Sequence, residues 1–294
     1  MMEGDNAMTV RIMADSTCDL AYGMVQDLGI SIVPLHIVLG EKEYLDGKDI
    51  TPDKIYRWSD EHNDTPKTSA VGLREAMDAM EAAGVTKDTN DELIVFTISE
   101  KMSATANAFR IAAEEMEIAD RVTVIDSENL STGIGLLVVE AAHMAKKGMD
   151  RKKIVAEIER LKPMVRSSFV VDTLTYLHRG GRCSGVAALA GGMLKLHPMI
   201  EVKKGAMEPG KRYRGKMENA IMEYVNELEP KIKKAKKDRI FITHSGCKSA
   251  VVSSVYNFLV KMDSFEEVIV TRAGGVISSH CGPGTLGVLF IEGE

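Results

Sequence analysis

Apolar, β-branched runs alternate with helical patterns through the first half of the chain, and this alternation constrains the fold more than any other feature. The predicted strands are VRIMA at 10–14, SIVPLHIVL at 31–39, LIVFTI at 93–98 and RVTVI at 121–125. Between them, residues 105–119 carry an apolar stripe, and residues 132–147 end in two lysines before a glycine, which is typical of a helix end. Strands alternating with helices predict a parallel, Rossmann-like α/β sheet.

The second half has a different character. An amphipathic helix is predicted over 151–165, and strands and helices are mixed after it. The predicted strands are SFVVDT at 168–173, MIEVKKG at 199–205, RIFITHS at 239–245, VIVTR at 268–272 and TLGVLFIE at 285–292. We therefore expect a C-terminal α+β domain, with a boundary near 150–166 that we write as domains 1–160 and 161–294.

Composition narrows the function classes. The chain has 294 residues, 45% of them hydrophobic, and can therefore bury a full core. Its net charge of −6, from 43 acidic and 37 basic residues, does not favour nucleic acid as a partner. The four cysteines are far apart and the seven histidines lack metal-ligand spacing, which disfavours a zinc or redox centre. Neither a secretory leader nor an apolar run of about 20 residues is visible, and a cytoplasmic location is expected.

Polar clusters follow three predicted strands of the first half, where ligands bind in open parallel sheets. The clusters are Asp15-Ser16-Thr17, Ser99 to Ser103, and Asp126-Ser127. Each cluster alone is compatible with a helix cap, but three on one rim favour a site. Ser103 directly precedes a predicted helix, where a hydroxyl and free backbone N–H groups suit a carboxylate or phosphate.

Two further elements carry candidate anion ligands. The glycine-rich stretch HRGGRCSGVAALAGG at 178–192 lacks the spacing of a phosphate loop, so no nucleotide cofactor is expected, and none of any other kind. Its Arg182 either pairs with an anion or makes an exposed ion pair of small value. His280 precedes the rigid Gly282-Pro283-Gly284 loop and either donates to a carboxylate or is a structural histidine.

Several segments in order resemble the DegV family over nearly the whole chain. They are RIMADSTCDL, IVPLHIVLGEKEYLDG, PKTSAVGLREAMDAME, TISEKMSATANAFRIA, VTVIDSENLSTGIGLLV, TLTYLHRGGRCS, LKLHPMIEVKKG and HCGPGTLGV. The resemblance implies a two-domain protein with a lipid tunnel between and within the domains. It also implies the fatty-acid-binding subunit of a bacterial fatty acid kinase, which has no catalytic residue of its own. Such a subunit presents a long-chain fatty acid to an ATP-binding kinase subunit, and the acyl phosphate then enters phospholipid synthesis.

The resemblance also assigns residues. Thr68 and Ser103 match hydroxyls that hold the carboxylate, His280 matches a histidine near it, and Arg182 matches an arginine near the head group. Ser69 is a further ligand-binding candidate, and the supporting candidates are Asp15, Ser16 and Ser99. The chain departs from the family at Ala104, where glycine is common, and at Ala70-Val71, where Gln-Pro is usual.

Two enzymatic alternatives remain open at this point. A serine hydrolase or acyltransferase acting on a lipid ester would use Ser103 as nucleophile, His280 as base and an acid such as Asp15. The segment around Ser103 lacks the Gly-x-Ser-x-Gly turn that exposes an activated serine. A sugar- or nucleotide-phosphate enzyme would need an acidic metal site and a phosphate loop, and neither is visible.

Overall fold

The computed structural model describes residues 9–183 and 196–293. Residues 184–192, the second part of the glycine-rich element, lie outside these ranges. The helices are α1 (Tyr22–Leu28), α2 (Pro52–His62), α3 (Leu73–Ala82), α4 (Thr105–Glu115), α5 (Thr132–Lys146), α6 (Arg151–Leu161), α7 (Thr175–Gly180), α8 (Met217–Ile232), α9 (Ser249–Lys261) and α10 (Gly275–Cys281). The strands are β1 (Val10–Asp15), β2 (Ile30–Val33), β3 (His36–Leu39), β4 (Lys42–Leu45), β5 (Lys67–Ser69), β6 (Glu92–Thr97), β7 (Val122–Asp126), β8 (Val165–Val170), β9 (Leu196–Lys203), β10 (Ala206–Arg214), β11 (Ala235–Ser245), β12 (Glu267–Arg272) and β13 (Thr285–Glu292).

Four parallel strands in the order β2-β1-β6-β7 form the sheet of the N-terminal region, and the predicted parallel α/β sheet is confirmed. The direction of strand order reverses between β1 and β6. In open α/β sheets, ligands bind beyond the carboxyl ends of the strands at such a reversal. Asp15 ends β1 and accepts a 2.8 Å hydrogen bond from the backbone N–H of Ile98, just past β6. The two strand ends are thereby tied together.

A small antiparallel sheet, in the order β4-β3-β5, lies close to α10. The prediction of one strand over 31–39 is wrong, because β2 ends at Val33 and β3 begins at His36 in a different sheet. Pro34 stands between them and lacks the backbone N–H that a continuous ladder requires. The break allows the chain to leave the parallel sheet and build a second one.

The C-terminal region contains a six-stranded mixed sheet in the order β10-β9-β8-β13-β11-β12, in agreement with the predicted α+β character. The last strand, β13, lies at its centre and pairs antiparallel with β8 and β11. The edge strand β10 was not predicted. It contains Pro209 and Gly210, which interrupt the apolar alternation of a strand but are tolerated at a sheet edge.

Helix α5 joins the two regions. It is buried over most of its length and contacts β1, β6, β8 and β13. One hydrophobic cluster accordingly includes Ile12 and Phe96 of the parallel sheet together with Phe169 and Leu289 of the mixed sheet. The two sheets share a continuous core through α5, and the division into domains 1–160 and 161–294 stays a prediction.

Two predicted helices end earlier than their apolar patterns indicate. α4 ends at Glu115 rather than at 119, and Glu117 then takes a positive φ of 56°. α6 ends at Leu161 rather than at 165, because Pro163 follows in a 3-10 turn. Side chains beyond each end still pack on the core, so apolar periodicity overestimates the helix length.

Candidate functional site

A cavity of about 230 Å³ lies beyond the carboxyl ends of the parallel strands, against α10. It is lined by Leu35, Thr68, Ser69, Ala70, Ile98, Met102, Ser103, Ala104, Leu130, Arg182, Met207, Val276, Ile277, His280 and Cys281. All five of the residues predicted to bind the ligand, Thr68, Ser69, Ser103, Arg182 and His280, are in its wall. The fold therefore brings these five residues to one cavity, and their role in ligand binding remains a prediction.

Thr68 and His280 are in direct contact. Thr68 Oγ1 lies 2.8 Å from His280 Nε2. The antiparallel register of β3 and β5 sets Thr68 opposite Ile37, and α10, which carries His280, packs against both of these strands. The small sheet and α10 therefore fix the two side chains relative to each other.

His280 is neutral near pH 7. Burial, with a smaller effect from the positive charge of Arg182, lowers the pKa of His280 to about 4. Its Nδ1 atom is buried and has no hydrogen-bond partner among the described residues. It faces Gly180, where an added Cβ would overlap the imidazole ring.

This environment selects one tautomer of His280. Neutral imidazole carries its proton on one nitrogen only. A buried N–H without an acceptor is rarer than a buried acceptor without a donor. We therefore assign the proton to Nε2, which donates to Thr68 Oγ1. The Thr68 hydroxyl proton is then directed elsewhere and is available to a carboxylate in the cavity.

Ser103 lies at the start of α4, as predicted. Its hydroxyl oxygen accepts a 3.3 Å hydrogen bond from the N–H of Thr105 and lies 2.9 Å from Thr105 Oγ1. The N–H of Ser103 donates to the carbonyl of Ser99 at 3.1 Å. A hydroxyl at the positive end of an 11-residue helix suits an anion.

Arg182 contributes positive charge to the cavity wall. It is exposed, and it donates from Nη1 to the carbonyl of Gly180 at 2.7 Å. That bond holds the guanidinium beside the segment that packs on His280. The sequence left open an anion partner or an exposed ion pair, and the position of Arg182 is compatible with the first.

The three predicted supporting residues lie outside the cavity wall and hold the loops that form it. Burial raises the pKa of Asp15 to about 6, and its carboxylate accepts from the N–H groups of Ile98 and Thr17. Ser16 donates to Asp46 at 2.9 Å. Ser99 donates to the carbonyl of Gly205 at 2.7 Å and so joins the two regions.

The geometry does not assemble a hydrolytic triad within the described residues. The hydroxyl of Ser103 is paired with Thr105 rather than with His280. His280 is paired with Thr68 instead, and its other ring nitrogen meets no carboxylate. Asp15 is engaged with backbone N–H groups. The same part of the chain contains no cluster of three side chains suited to a metal ion.

The apolar part of the cavity wall was not recognised from the sequence. It includes Leu35, Ile98, Met102, Leu130, Met207, Val276 and Ile277. A second, narrow cavity of about 20 Å³ shares Leu130, Ile277 and Cys281 with the first and continues toward Phe169 and Leu289. Apolar residues that line a cavity have the same sequence pattern as those that fill a core, so no signal separates them.

The parts of the chain that the structure describes include no helix long and apolar enough to cross a bilayer.

Comparison with known proteins places the chain among relatives of similar length. A family model described as an uncharacterised protein of the DegV family matches residues 9–293. A DegV domain-containing protein of Deinococcus radiodurans is 30% identical over 289 residues, covering 96% of this chain and 98% of the relative. A DegV domain-containing protein of Caldanaerobacter subterraneus is 29% identical, covering 96% of this chain and 99% of the relative.

Solved structures agree with this relationship. One is a DegV family protein from Thermus thermophilus whose structure is described as showing fatty acid binding. It is 31% identical to this chain, with a TM-score of 0.88, and the match covers 97% of this chain and 100% of that protein. DegV of Bacillus subtilis, described as a fatty acid binding protein, is 26% identical with a TM-score of 0.84, covering 97% of this chain and 100% of its own.

Proposed function

The chain belongs to the DegV family, and from that premise we propose that it binds one long-chain fatty acid and presents the carboxylate to a separate ATP-dependent kinase subunit. The relatives of known structure that are described as fatty acid binding proteins support the first part. The second part rests on the family resemblance. In this proposal the chain itself supplies binding and orientation, and the kinase subunit supplies the chemistry.

The observation that carries the proposal is that polar side chains and a larger set of apolar side chains line the same cavity. Thr68, Ser103 and Arg182 offer two hydroxyls and a positive charge to a carboxylate. Neutral His280 orients the Thr68 hydroxyl toward the ligand. A buried carboxylate needs such partners, because an unpaired charge inside a protein is costly.

The apolar wall supplies the affinity. Burying about sixteen carbons at about 0.8 kcal/mol per CH2 gives on the order of 12 kcal/mol before ordering costs. The second cavity adjoins the first at Leu130 and Ile277 and is lined by both apolar and polar side chains. In this proposal the tail supplies the affinity and the polar side chains supply the orientation.

Phosphoryl transfer would take place at the polar end. A carboxylate oxygen attacks the γ-phosphorus of ATP, a new O–P bond forms, and ADP leaves with the electrons of the broken bond. Arg182 is exposed beside this end and suits the accumulating negative charge. The acyl phosphate would then pass to phospholipid synthesis, and we place the exchange in the cytoplasm, where a kinase subunit meets ATP.

Native mass spectrometry tests the binding half. Protein purified from bacteria is expected to carry one added mass that matches a fatty acid, and that mass should be lost on delipidation and regained with palmitate. A protein that is lipid-free on purification and takes up no palmitate would overturn the proposal.

The kinase half has a separate test. With a DegV-partner kinase subunit, ATP and palmitate, hydroxylamine should trap the acyl phosphate as a hydroxamate. Omitting either protein should abolish the product. Product formed equally without this chain would overturn the presentation role while leaving fatty acid binding intact.

A further inference from the structure

The β9–β10 hairpin reaches over the site. The last pair between β9 and β8 is Glu201 with Ser168. Beyond this pair, within the described chain, residues 202–207 form strand pairs only between β9 and β10 themselves. We call residues 202–207 the flap. Met207 of the flap is buried and lines the cavity, so a movement of the flap would open the cavity wall.

Two hydrogen bonds hold the tip of the flap against the N-terminal region, and we call them the latch. The buried hydroxyl of Ser99 donates to the carbonyl of Gly205 at 2.7 Å. The amino group of Lys101 donates to the carbonyl of Lys204, also at 2.7 Å. Ser99 accepts the N–H of Ser103 through its own carbonyl, so the latch and the predicted carboxylate ligand share one turn.

The base of the hairpin is fixed independently of its tip. The ladder between β9 and β10 is irregular between Pro209 and Arg212. Pro209 has no backbone N–H, and Gly210 is the most permissive residue in backbone conformation. Past this bulge, Tyr213 donates to Glu227 of α8 at 3.0 Å. The anchored base thus extends to Glu201, which still pairs with β8. Beyond it, Cys183 Sγ donates to the carbonyl of Met207 at 3.4 Å, and the latch holds the tip.

We propose that the flap is a lid over the fatty acid site and that the latch sets how fast it opens. This inference rests on the proposed function. Ser99, Lys101 and Gly205 lie outside the cavity wall. Weakening the latch therefore speeds ligand entry and ligand release together, and the ratio of the two rates, which is the dissociation constant, changes little.

Two variants weaken the latch from opposite sides. Lys101→Met removes one of its hydrogen bonds. In Gly205→Ala, the added Cβ would lie 2.6 Å from Ser99 Oγ. This overlap displaces the Ser99 hydroxyl from the carbonyl of residue 205 and so removes the second hydrogen bond of the latch. Lys204→Met is the control for Lys101→Met, because the latch uses only the carbonyl of Lys204. Gly215→Ala is the control for Gly205→Ala. Gly215 shares a positive φ with Gly205 but has nothing within 4 Å of an added Cβ.

The experiment measures capture and release of the fluorescent fatty acid cis-parinaric acid by stopped flow, with phosphatidylcholine vesicles as the acceptor. Each latch variant is expected to raise both rates about three- to tenfold, as the loss of about one hydrogen bond predicts. The dissociation constant should stay within about twofold, and the controls should match the parent. Parent-like rates in both latch variants would overturn the lid, as would faster release with unchanged capture. A parent that binds no cis-parinaric acid would instead overturn the proposed function.

Discussion

Thr68 and His280 are 212 positions apart in the chain, yet Thr68 Oγ1 lies 2.8 Å from His280 Nε2 in the wall of one cavity. The contact joins the small antiparallel sheet to α10. Both residues contribute polar groups to a cavity wall that also contains Ser103 and Arg182.

Replacing the Thr68 hydroxyl should weaken binding of the head group. Thr68→Val keeps the shape of the side chain but removes the donor and leaves His280 Nε2–H without its acceptor. A loss of about 1–3 kcal/mol is expected, or about 5- to 150-fold in the dissociation constant of palmitate measured by titration calorimetry. Thr68→Ser keeps the hydroxyl and should stay within about threefold of the parent. Equal affinity of Thr68→Val and the parent would mean that Thr68 does not touch the carboxylate.

The close approach of Gly180 to His280 makes a second prediction. A Cβ at Gly180 would overlap the imidazole ring, so Gly180→Ala should displace His280 from Thr68. Palmitate binding should weaken by about 1 kcal/mol, roughly fivefold, which is the value of one hydrogen bond. Gly23→Ala is the control, because Gly23 is also helical and has nothing within 4 Å of an added Cβ. Parent-like binding by Gly180→Ala would show that the ring can shift without cost.

Ser103 should matter more for phosphorylation than for lipid retention, because in the proposed function it orients the carboxylate while the tail supplies the affinity. In Ser103→Ala, acyl hydroxamate formed with the kinase subunit is expected to fall about tenfold or more, whereas the palmitate retained in native mass spectra falls less. Ser254→Ala, on the exposed side of α9, should change neither. An equal loss of both quantities would mean that Ser103 is not chiefly an orienting group.

Buried Asp19 predicts a dependence of stability on pH. Asp19 accepts hydrogen bonds from Ser131 at 2.5 Å and from the N–H of Gly274 at 2.7 Å, and burial raises its pKa from 3.8 to about 8, with Asp46 and Asp15 adding repulsion. Its stabilising contribution is therefore complete below about pH 4 and is lost as the pH rises toward 8. Asp19→Asn should not lose this stability. The difference in the free energy of unfolding between the variant and the parent should therefore grow by up to about 1.4 kcal/mol per pH unit.

The measurement is urea unfolding of the parent and Asp19→Asn at a series of pH values. The free energy of unfolding of the variant, relative to the parent, should increase between about pH 5 and about pH 8. A constant difference across that range would contradict the raised pKa of Asp19.

Alternation of strands and helices was sufficient to predict the parallel sheet, because each β-α unit of the first half is coded locally. The rim was also predictable, since Asp15 and Ser103 follow strands that end at one edge. The break at Pro34 was missed because the flanking apolar runs are continuous in composition. Edge strand β10 was missed because Pro209 and Gly210 interrupt its pattern.

The pairing of Thr68 with His280 could not be derived from the residues alone. It depends on the docking of α10 against β3 and β5, a tertiary contact that no local pattern encodes. The family resemblance supplied both residues without their contact. The apolar lining, Met207 of the flap included, was unreadable because cavity and core residues look alike in sequence.

A crystal structure of the palmitate-loaded protein would show where the carboxylate and the tail lie. We expect the carboxylate within about 3 Å of Thr68 Oγ1 and Ser103 Oγ, with the tail passing Leu130 and Ile277. A carboxylate bound elsewhere, or a tail that lies outside this cavity, would contradict it.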